Sequence, residues 1–128
     1  MSPKELVENL YAAFTRGDIP FILDHISPDC RWSAPGAGIP NAGRYTGPAG
    51  AAEFFQRLAA SENVTRFEVK EYFTNGNSVM AIGSEACTII ANGKQAETDW
   101  AMLFRVENGK VTEWQSFYDT SAYMLAHA

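Results

Sequence analysis

The chain has 128 residues, of which 46% are hydrophobic and 20% charged, and its formal net charge is −5. This length suits one domain with its own hydrophobic core, so we expect a single domain over residues 1–128. The negative charge argues against nucleic acid and anionic membranes as partners, because both are bound through clustered basic residues. No apolar run approaches the roughly 20 residues of a membrane-spanning helix.

Two cysteines, Cys30 and Cys87, are present, and they form no CxxC motif. The N-terminal segment is amphipathic and lacks the apolar core of a signal peptide. We therefore expect a reduced, cytoplasmic protein, although the sequence leaves a disulfide between the two cysteines open.

Two helices are predicted at the start of the chain. Ser2 and Glu5 have the spacing of a capping box. Apolar residues then recur at helical spacing until Gly17, a residue type that commonly ends a helix. Asp18 is suited to cap a second, short helix, which Pro28 ends.

A short strand, a loop and a third helix follow. Trp32 lies in a strand predicted over Cys30–Ala34. The segment Pro35–Gly47 contains four Gly and two Pro, which predicts a loop long enough to form a pocket rim. Gly47-Pro48 then opens a helix that carries several large apolar residues.

The rest of the chain alternates with period two, which is typical of strands. The predicted strands are Thr65–Phe73, Val79–Ile90, Glu97–Val106 and Val111–Tyr118, with a terminal helix over Ser121–His127. Asn-Gly pairs at 75–76, 92–93 and 108–109 fall between the strands and indicate hairpins. Three helices followed by an antiparallel meander predict an α+β fold, in which helices on a curved sheet form a cone around a cavity.

The Asn-Gly turns predict which residues face this cavity. A two-residue loop at Asn92-Gly93 places Glu85 opposite Trp100 and Cys87 opposite Thr98, and opposed residues share a face. The loop at Asn108-Gly109 leaves two registers open. A two-residue loop pairs Met102 with Gln115, whereas a three-residue loop pairs Met102 with Trp114 and Trp100 with Ser116.

The motif GKVTEW-x-x-FYD at residues 109–119, after a meander and three helices with Gly17-Asp18 between the first two, resembles the SnoaL-like branch of the NTF2-like superfamily. That superfamily includes polyketide cyclases, ketosteroid isomerases and limonene epoxide hydrolases. The resemblance covers essentially the whole chain and implies a cone of curved antiparallel sheet with three N-terminal helices. It also implies a homodimer through the outer face of the sheet. The fold hosts enzymes, binding modules and dimerisation domains, so fold alone does not define function.

The family's catalytic positions are mostly occupied by other residue types here. The ketosteroid isomerase base and its oxyanion-hole pair correspond to Ala34, Leu10 and Met102. The aspartate and histidine of SnoaL-like cyclases correspond to Ser116 and Met102. The limonene epoxide hydrolase set corresponds to Ser116, Gly83 and Glu85, which keeps one carboxylate. Together, the three comparisons place Met102 and Ser116 in the cavity and favour the three-residue loop.

Glu85 is the predicted catalytic residue, since a carboxylate on an apolar wall is suited to general acid or base chemistry. A solvated or ion-paired strand glutamate is the alternative interpretation. The predicted ligand-binding residues are Trp32, Cys87, Trp100, Met102, Trp114, Ser116, Tyr118, Tyr11, Phe14 and Phe55. Phe54 and Met80 are expected to contribute as well.

We expect a small apolar or aromatic ligand and no metal or other cofactor. His25 and His127 have no metal-ligand neighbours at suitable spacing, and His25 is expected at a helix C-terminus. Asp119 follows the last strand, so we interpret it as the cap of the terminal helix in preference to a pocket residue.

The predicted function is a small-molecule protein with an apolar, tryptophan-rich pocket and isomerase, cyclase or hydrolase chemistry of the acid–base kind. The alternative is a non-catalytic ligand carrier or dimerisation module.

Overall fold

The computed structural model describes residues 1–128 as four helices and six strands. The helices are α1 (Pro3–Thr15), α2 (Ile19–Asp24), α3 (Gly47–Ser61) and α4 (Thr120–His127). The strands are β1 (Ile26–Ala34), β2 (Gly43–Thr46), β3 (Glu62–Asn75), β4 (Ser78–Ile89), β5 (Gln95–Glu107) and β6 (Lys110–Tyr118). They form one curved, open sheet in the order β2-β1-β6-β5-β4-β3. The predicted α+β fold, with helices against one face of the sheet, is confirmed.

The first helices begin and end for the reasons that the sequence indicates. The Ser2 side chain accepts a hydrogen bond from the Glu5 amide, and the Glu5 carboxylate accepts one from the Ser2 amide. Gly17 has a φ of +75°, the left-handed conformation that a glycine tolerates after a helix. Helix α2 ends at Asp24, earlier than expected, because Ile26 pairs with Val111 as the first residue of β1.

The sheet is mixed, so the prediction of a purely antiparallel sheet was wrong. Strand β1 lies parallel to β6, which places Trp32 beside Trp114. Parallel strands need a long crossover between them, and here everything from β2 to β5 intervenes. The segment predicted as a loop before α3 contains β2, which pairs antiparallel with β1.

The β4–β5 hairpin has a different register from the predicted one. Ile89 pairs with Lys94 across a four-residue loop, and the Ile89 amide donates to the Lys94 carbonyl at 2.7 Å. Glu85 therefore lies opposite Thr98, and Gly83 lies opposite Trp100. The shift is two residues, and an even shift leaves every side chain on its original face.

The β5–β6 hairpin combines a short turn with a bulge. Asn108 and Gly109 have φ values of 52° and 75°, which is typical of a two-residue type I′ turn. The bulge leaves Thr112 as an extra residue, so that Met102 pairs with Ser116. The predicted three-residue loop was therefore wrong, yet Met102 and Ser116 do share the inner face.

The inner face of the sheet and the first three helices enclose the main core. A second, smaller cluster lies under α4 and contains Ile39, Cys87, Ile89, Ala96, Tyr123 and Ala126. Asp119 caps α4 by accepting a hydrogen bond from the Ala122 amide at 3.2 Å, which confirms the predicted cap. The two clusters meet at Tyr118, which packs against both.

Candidate functional site

A cavity of about 90 Å³ lies between the first three helices and the inner face of the sheet. Fifteen of its 19 lining residues are hydrophobic. An engineered apolar cavity of about 150 Å³ accepts benzene, so a ligand the size of one ring requires some outward movement of the lining side chains. The cavity therefore suits a compact, flat ligand.

One end of the cavity is aromatic. We call Trp32, Phe54, Phe55 and Trp114 the aromatic wall. The rings of Trp32 and Trp114 stack with centroids 4.3 Å apart at an interplanar angle of 22°, because β1 and β6 place them side by side. Phe54 meets both rings edge-on, and such aromatic pairs add to the stability gained from burial alone.

Helix α1 contributes Tyr11 and Phe14 to the lining. The Tyr11 hydroxyl donates to the Met102 sulfur at 3.2 Å. Burial raises the pKa of Tyr11 well above its ordinary value. Tyr11 therefore lines the cavity as a neutral phenol whose hydroxyl group already donates a hydrogen bond to Met102.

The other end of the cavity is polar. We call Glu62, Glu85, Tyr118, Tyr123 and His127 the polar cluster. Burial raises the pKa of Glu85 to about 7, the hydrogen bond from Tyr123 lowers it, and the nearby Glu62 charge raises it. The Tyr123 hydroxyl donates to Glu85 Oε1 at 3.1 Å. Glu85 is therefore present in both protonation states near neutral pH.

Glu62 was missed by sequence reasoning, as were Tyr123 and His127. Glu62 is the first residue of β3 and lines the cavity. Its Oε2 lies 2.9 Å from His127 Nε2, and only 5% of the Glu62 side chain and 7% of the His127 side chain are exposed. The two residues are 65 positions apart, so no local periodicity could have indicated the pair.

The remaining groups of this region are not nucleophiles. Burial raises the pKa of the Cys87 thiol to about 12, so Cys87 stays protonated at neutral pH. Only the thiolate form of a cysteine is a good nucleophile. Burial likewise raises the pKa of Tyr118 and of Tyr123 above the ordinary value. The Tyr118 hydroxyl donates to the Pro35 carbonyl at 3.3 Å, which ties the end of β6 to the rim loop.

Eight of the ten residues predicted to bind ligand line the cavity, together with Glu85 and Phe54. They are Tyr11, Phe14, Trp32, Phe55, Met102, Trp114, Ser116 and Tyr118. Their role in binding a ligand stays a prediction. The positions that correspond to the family's catalytic residues, Ala34, Leu10, Met102 and Ser116, also line the cavity.

Trp100 and Cys87 differ from expectation, because both are packed into the protein core. Trp100 stacks on Tyr11 and on Phe67, and these two rings also contact each other. It also covers Gly83, where an added Cβ would lie 2.5 Å from the Trp100 ring and 2.0 Å from a backbone oxygen. Cys87 belongs to the cluster under α4. Neither residue lines the cavity.

Met80 also differs from expectation. Its neighbours Val79 and Ala81 are fully buried in the main core, so the alternation of the strand places Met80 on the outer face.

His25 caps the C-terminus of α2, with Nδ1 2.8 Å from the Phe21 carbonyl. No group of three or more His, Cys, Asp or Glu residues has the arrangement of a metal site.

A curved, open six-stranded sheet whose inner face and helices surround a largely apolar cavity defines the NTF2-like class of α+β domains. The family model of the SnoaL-like domain matches residues 7–114, and the chain belongs to this family. No curated protein matches the sequence. No helix is long and apolar enough to cross a membrane.

Solved structures similar to this chain share the fold over nearly their whole length. An NTF2-like protein from Burkholderia thailandensis is 28% identical, with a TM-score of 0.92 over 100% of this chain and 98% of its own. TerC, co-crystallized with polyporic acid, is 26% identical, with a TM-score of 0.86 over 98% and 97%. A candidate polyketide cyclase from Pseudomonas putida is 22% identical, with a TM-score of 0.79 over 100% and 99%. At 22% identity, the similarity to the Pseudomonas putida protein shows only that the two chains share a fold.

Proposed function

We propose that the cavity binds a compact, flat, carbonyl-containing ligand and that Glu85 transfers a proton to or from it. The observation that carries this proposal is a half-buried carboxyl group in a largely apolar cavity, with a pKa raised to about 7 mainly by desolvation. A general acid or base works best when its pKa lies close to the operating pH. With its pKa of about 7, Glu85 meets that requirement at neutral pH.

The hydrogen bonds of Glu85 fit this role. Tyr123 holds Oε1 at 3.1 Å, which fixes the carboxyl group and leaves Oε2 for a ligand. The facing wall of stacked indoles offers a flat apolar surface against which a ring can lie. Co-crystallization of TerC with polyporic acid supports small-molecule binding by a closely similar cone.

Binding and proton transfer are tested separately. Quenching of tryptophan fluorescence by polyporic acid and by 2-tetralone, a compact cyclic ketone fused to a benzene ring, measures binding. NMR detection of deuterium entering 2-tetralone next to its carbonyl in D2O measures proton transfer. We expect Glu85→Gln to bind the ketone and to exchange it about 100-fold more slowly, the usual scale for loss of a general base.

Glu97→Gln is the matched control for this experiment. Glu97 is on the neighbouring strand, and 78% of its side chain is exposed. The control variant should exchange the ketone at the rate of the unchanged protein. Equal exchange by the unchanged protein and Glu85→Gln, at equal occupancy, would contradict the assignment.

A second candidate function, a non-catalytic ligand carrier, is favoured by the apolar character of the family's catalytic positions. Ala34, Leu10 and Met102 all line the cavity, and none of them has an ionisable group. A carrier would bind the ketone tightly and exchange no deuterium. The exchange measurement therefore separates the two candidates.

We also propose that two copies associate through the outer face of the sheet. Apolar side chains on adjacent strands form one patch there, made of Met80, Ile82, Ala101, Leu103 and Phe117. Phe117 is 45% exposed, and the others are partly exposed. Light scattering should give twice the 14.1 kDa mass of the chain. Leu103→Lys should reduce it to a single copy, because a charge cannot be buried there unpaired.

A further inference from the structure

Helix α4 holds two carboxylates that border the cavity. Tyr123 and His127 are four residues apart, so they lie on the same helix face. Tyr123 donates to Glu85 at 3.1 Å, and His127 Nε2 lies 2.9 Å from Glu62 Oε2. One short helix thus orients both acidic side chains of the cavity.

Glu62 and Glu85 are the only acidic residues that line the cavity. They approach it from neighbouring strands β3 and β4. The charge of Glu62 raises the pKa of Glu85, so the two carboxyl groups lie close enough to interact. The two carboxyl groups therefore belong to one connected polar cluster, and a ligand in the cavity meets both.

The two carboxyl groups have different partners. Glu85 receives a hydrogen bond from a neutral phenol, whereas Glu62 faces an imidazole that is positively charged when protonated. Two carboxyl groups in such different environments commonly divide the roles of acid and base between them.

We propose that Glu62 is a second catalytic residue, acting as the base while protonated Glu85 acts as the acid on the same carbonyl ligand. This inference rests on the proposed role of Glu85. His127 is a positioning residue, because it contacts Glu62 and not the cavity. The reaction class is keto–enol proton transfer.

The step is balanced without any oxidant or further reactant. The Glu62 carboxylate removes a proton from the carbon next to the carbonyl, and the C–H electron pair becomes a C=C bond. The carbonyl π electrons move to the oxygen, which takes the proton of Glu85. The enol forms, Glu62 becomes protonated and Glu85 becomes ionised. In D2O both carboxyl groups exchange with solvent, so the reverse step places deuterium on carbon.

The test compares deuterium entry into 2-tetralone for the unchanged protein, Glu62→Gln, Glu85→Gln, the double variant and the Glu97→Gln control. We expect each single variant at Glu62 or Glu85 to lose about 100-fold in rate. The double variant should be scarcely slower than either single one, because residues that act as a unit are not additive. The control should retain the full rate.

His127→Gln tests the positioning role. Glutamine keeps a neutral donor toward Glu62 but cannot carry the imidazolium charge. We expect about a tenfold loss of rate with an unchanged KM for the ketone, because the substitution alters the orientation of the base and not the binding of the ligand. Circular dichroism melting establishes that each variant is folded, and His127→Gln decides the matter where Glu62→Gln does not fold.

The outcomes separate this inference from the proposed function. Full exchange by Glu62→Gln together with slow exchange by Glu85→Gln overturns the acid–base pair and leaves the role of Glu85 intact. An unchanged rate in His127→Gln also overturns the pair. Full exchange by both glutamine variants, or no exchange by the unchanged protein, overturns both proposals.

Discussion

The aromatic wall and the polar cluster are opposite ends of one cavity, and they depend on different physics. The aromatic wall is held by buried ring contacts, such as the 4.3 Å stack of Trp32 on Trp114. The polar cluster is held by two hydrogen bonds from α4, which offset the cost of removing carboxyl groups from water. Substitutions that remove side-chain volume should therefore destabilise the aromatic wall, whereas a change of pH should alter the stability of the polar cluster.

This difference also shows how the site divides its tasks. Apolar contacts recognise shape with little directional preference, whereas hydrogen bonds fix individual oxygen atoms. The wall is suited to hold a flat ligand, and the cluster is suited to supply or remove protons. Neither end performs both tasks.

The largest expected effect comes from breaking the aromatic wall. Trp114→Ala removes a side chain that is 4% exposed and leaves Trp32 and Phe54 without their central partner. We expect the free energy of unfolding to fall by about 3–5 kcal/mol, the usual cost of such a truncation. Urea denaturation measures it. Phe73→Ala, at an aromatic residue that is 51% exposed, should cost no more than about 0.5 kcal/mol.

The second effect is the pH dependence of the polar cluster. The pKa of Glu85 in the folded protein is about 7, above the ordinary 4.5, so the folded state binds this proton more strongly than the unfolded state does. Its contribution to stability is complete below about pH 4.5 and is lost as the pH rises through about 7.

Urea denaturation of the unchanged protein and of Glu85→Gln isolates this contribution. Relative to Glu85→Gln, the unchanged protein should lose on the order of 2 kcal/mol of unfolding free energy between about pH 4.5 and pH 7.5. A difference that stays constant with pH would show that Glu85 has an ordinary affinity for its proton.

Tyr123→Phe sharpens the comparison within the polar cluster. Its hydroxyl lowers the pKa of Glu85, so removal of the hydroxyl should raise that pKa further. We expect a loss of about 1.5 kcal/mol in unfolding free energy, because Glu85 loses a buried partner. An NMR titration of the Glu85 carboxyl carbon measures the pKa. Tyr118→Phe is the control, since that hydroxyl donates to Pro35 and not to Glu85.

The smallest effect is expected outside both ends of the cavity. Asp119→Ala removes the cap of α4 and should cost about 1 kcal/mol. Asp119→Asn keeps a capping oxygen and should cost only a few tenths. Binding of 2-tetralone should be unchanged in both variants, and a selective loss of binding would instead place Asp119 in the site.

Much of the aromatic wall was predictable, and little of the polar cluster was. Trp32 and Phe55 followed from the predicted first strand and third helix, whereas the family resemblance placed Trp114 on the inner face. Met102 and Ser116 were assigned to the inner face through the family resemblance, which in turn favoured an incorrect loop length. The assignment survived because the bulge at Thr112 restores the parity that the two-residue turn alone would change.

Trp100 and Cys87 show where that reasoning fails. Both lie on the inner face as expected, but a face includes the core around the cavity as well as the cavity itself. Because Gly83 has no side chain, the Trp100 ring packs directly over it and stacks on Tyr11 and Phe67. Cys87 is covered by α4. Alternation gives the direction of a side chain and not the position of the empty space.

The sequence by itself determined the helices, five of the six strands, the α+β class and the face of most inner residues, because capping, turn chemistry and periodicity act over a few neighbouring positions. Only the tertiary structure decided that β1 lies parallel to β6 and that His127 reaches Glu62 across 65 residues. Such contacts depend on how distant elements pack, and no short-range pattern encodes that. Glu62 is a candidate base only because α4 packs against the sheet and brings His127 next to it.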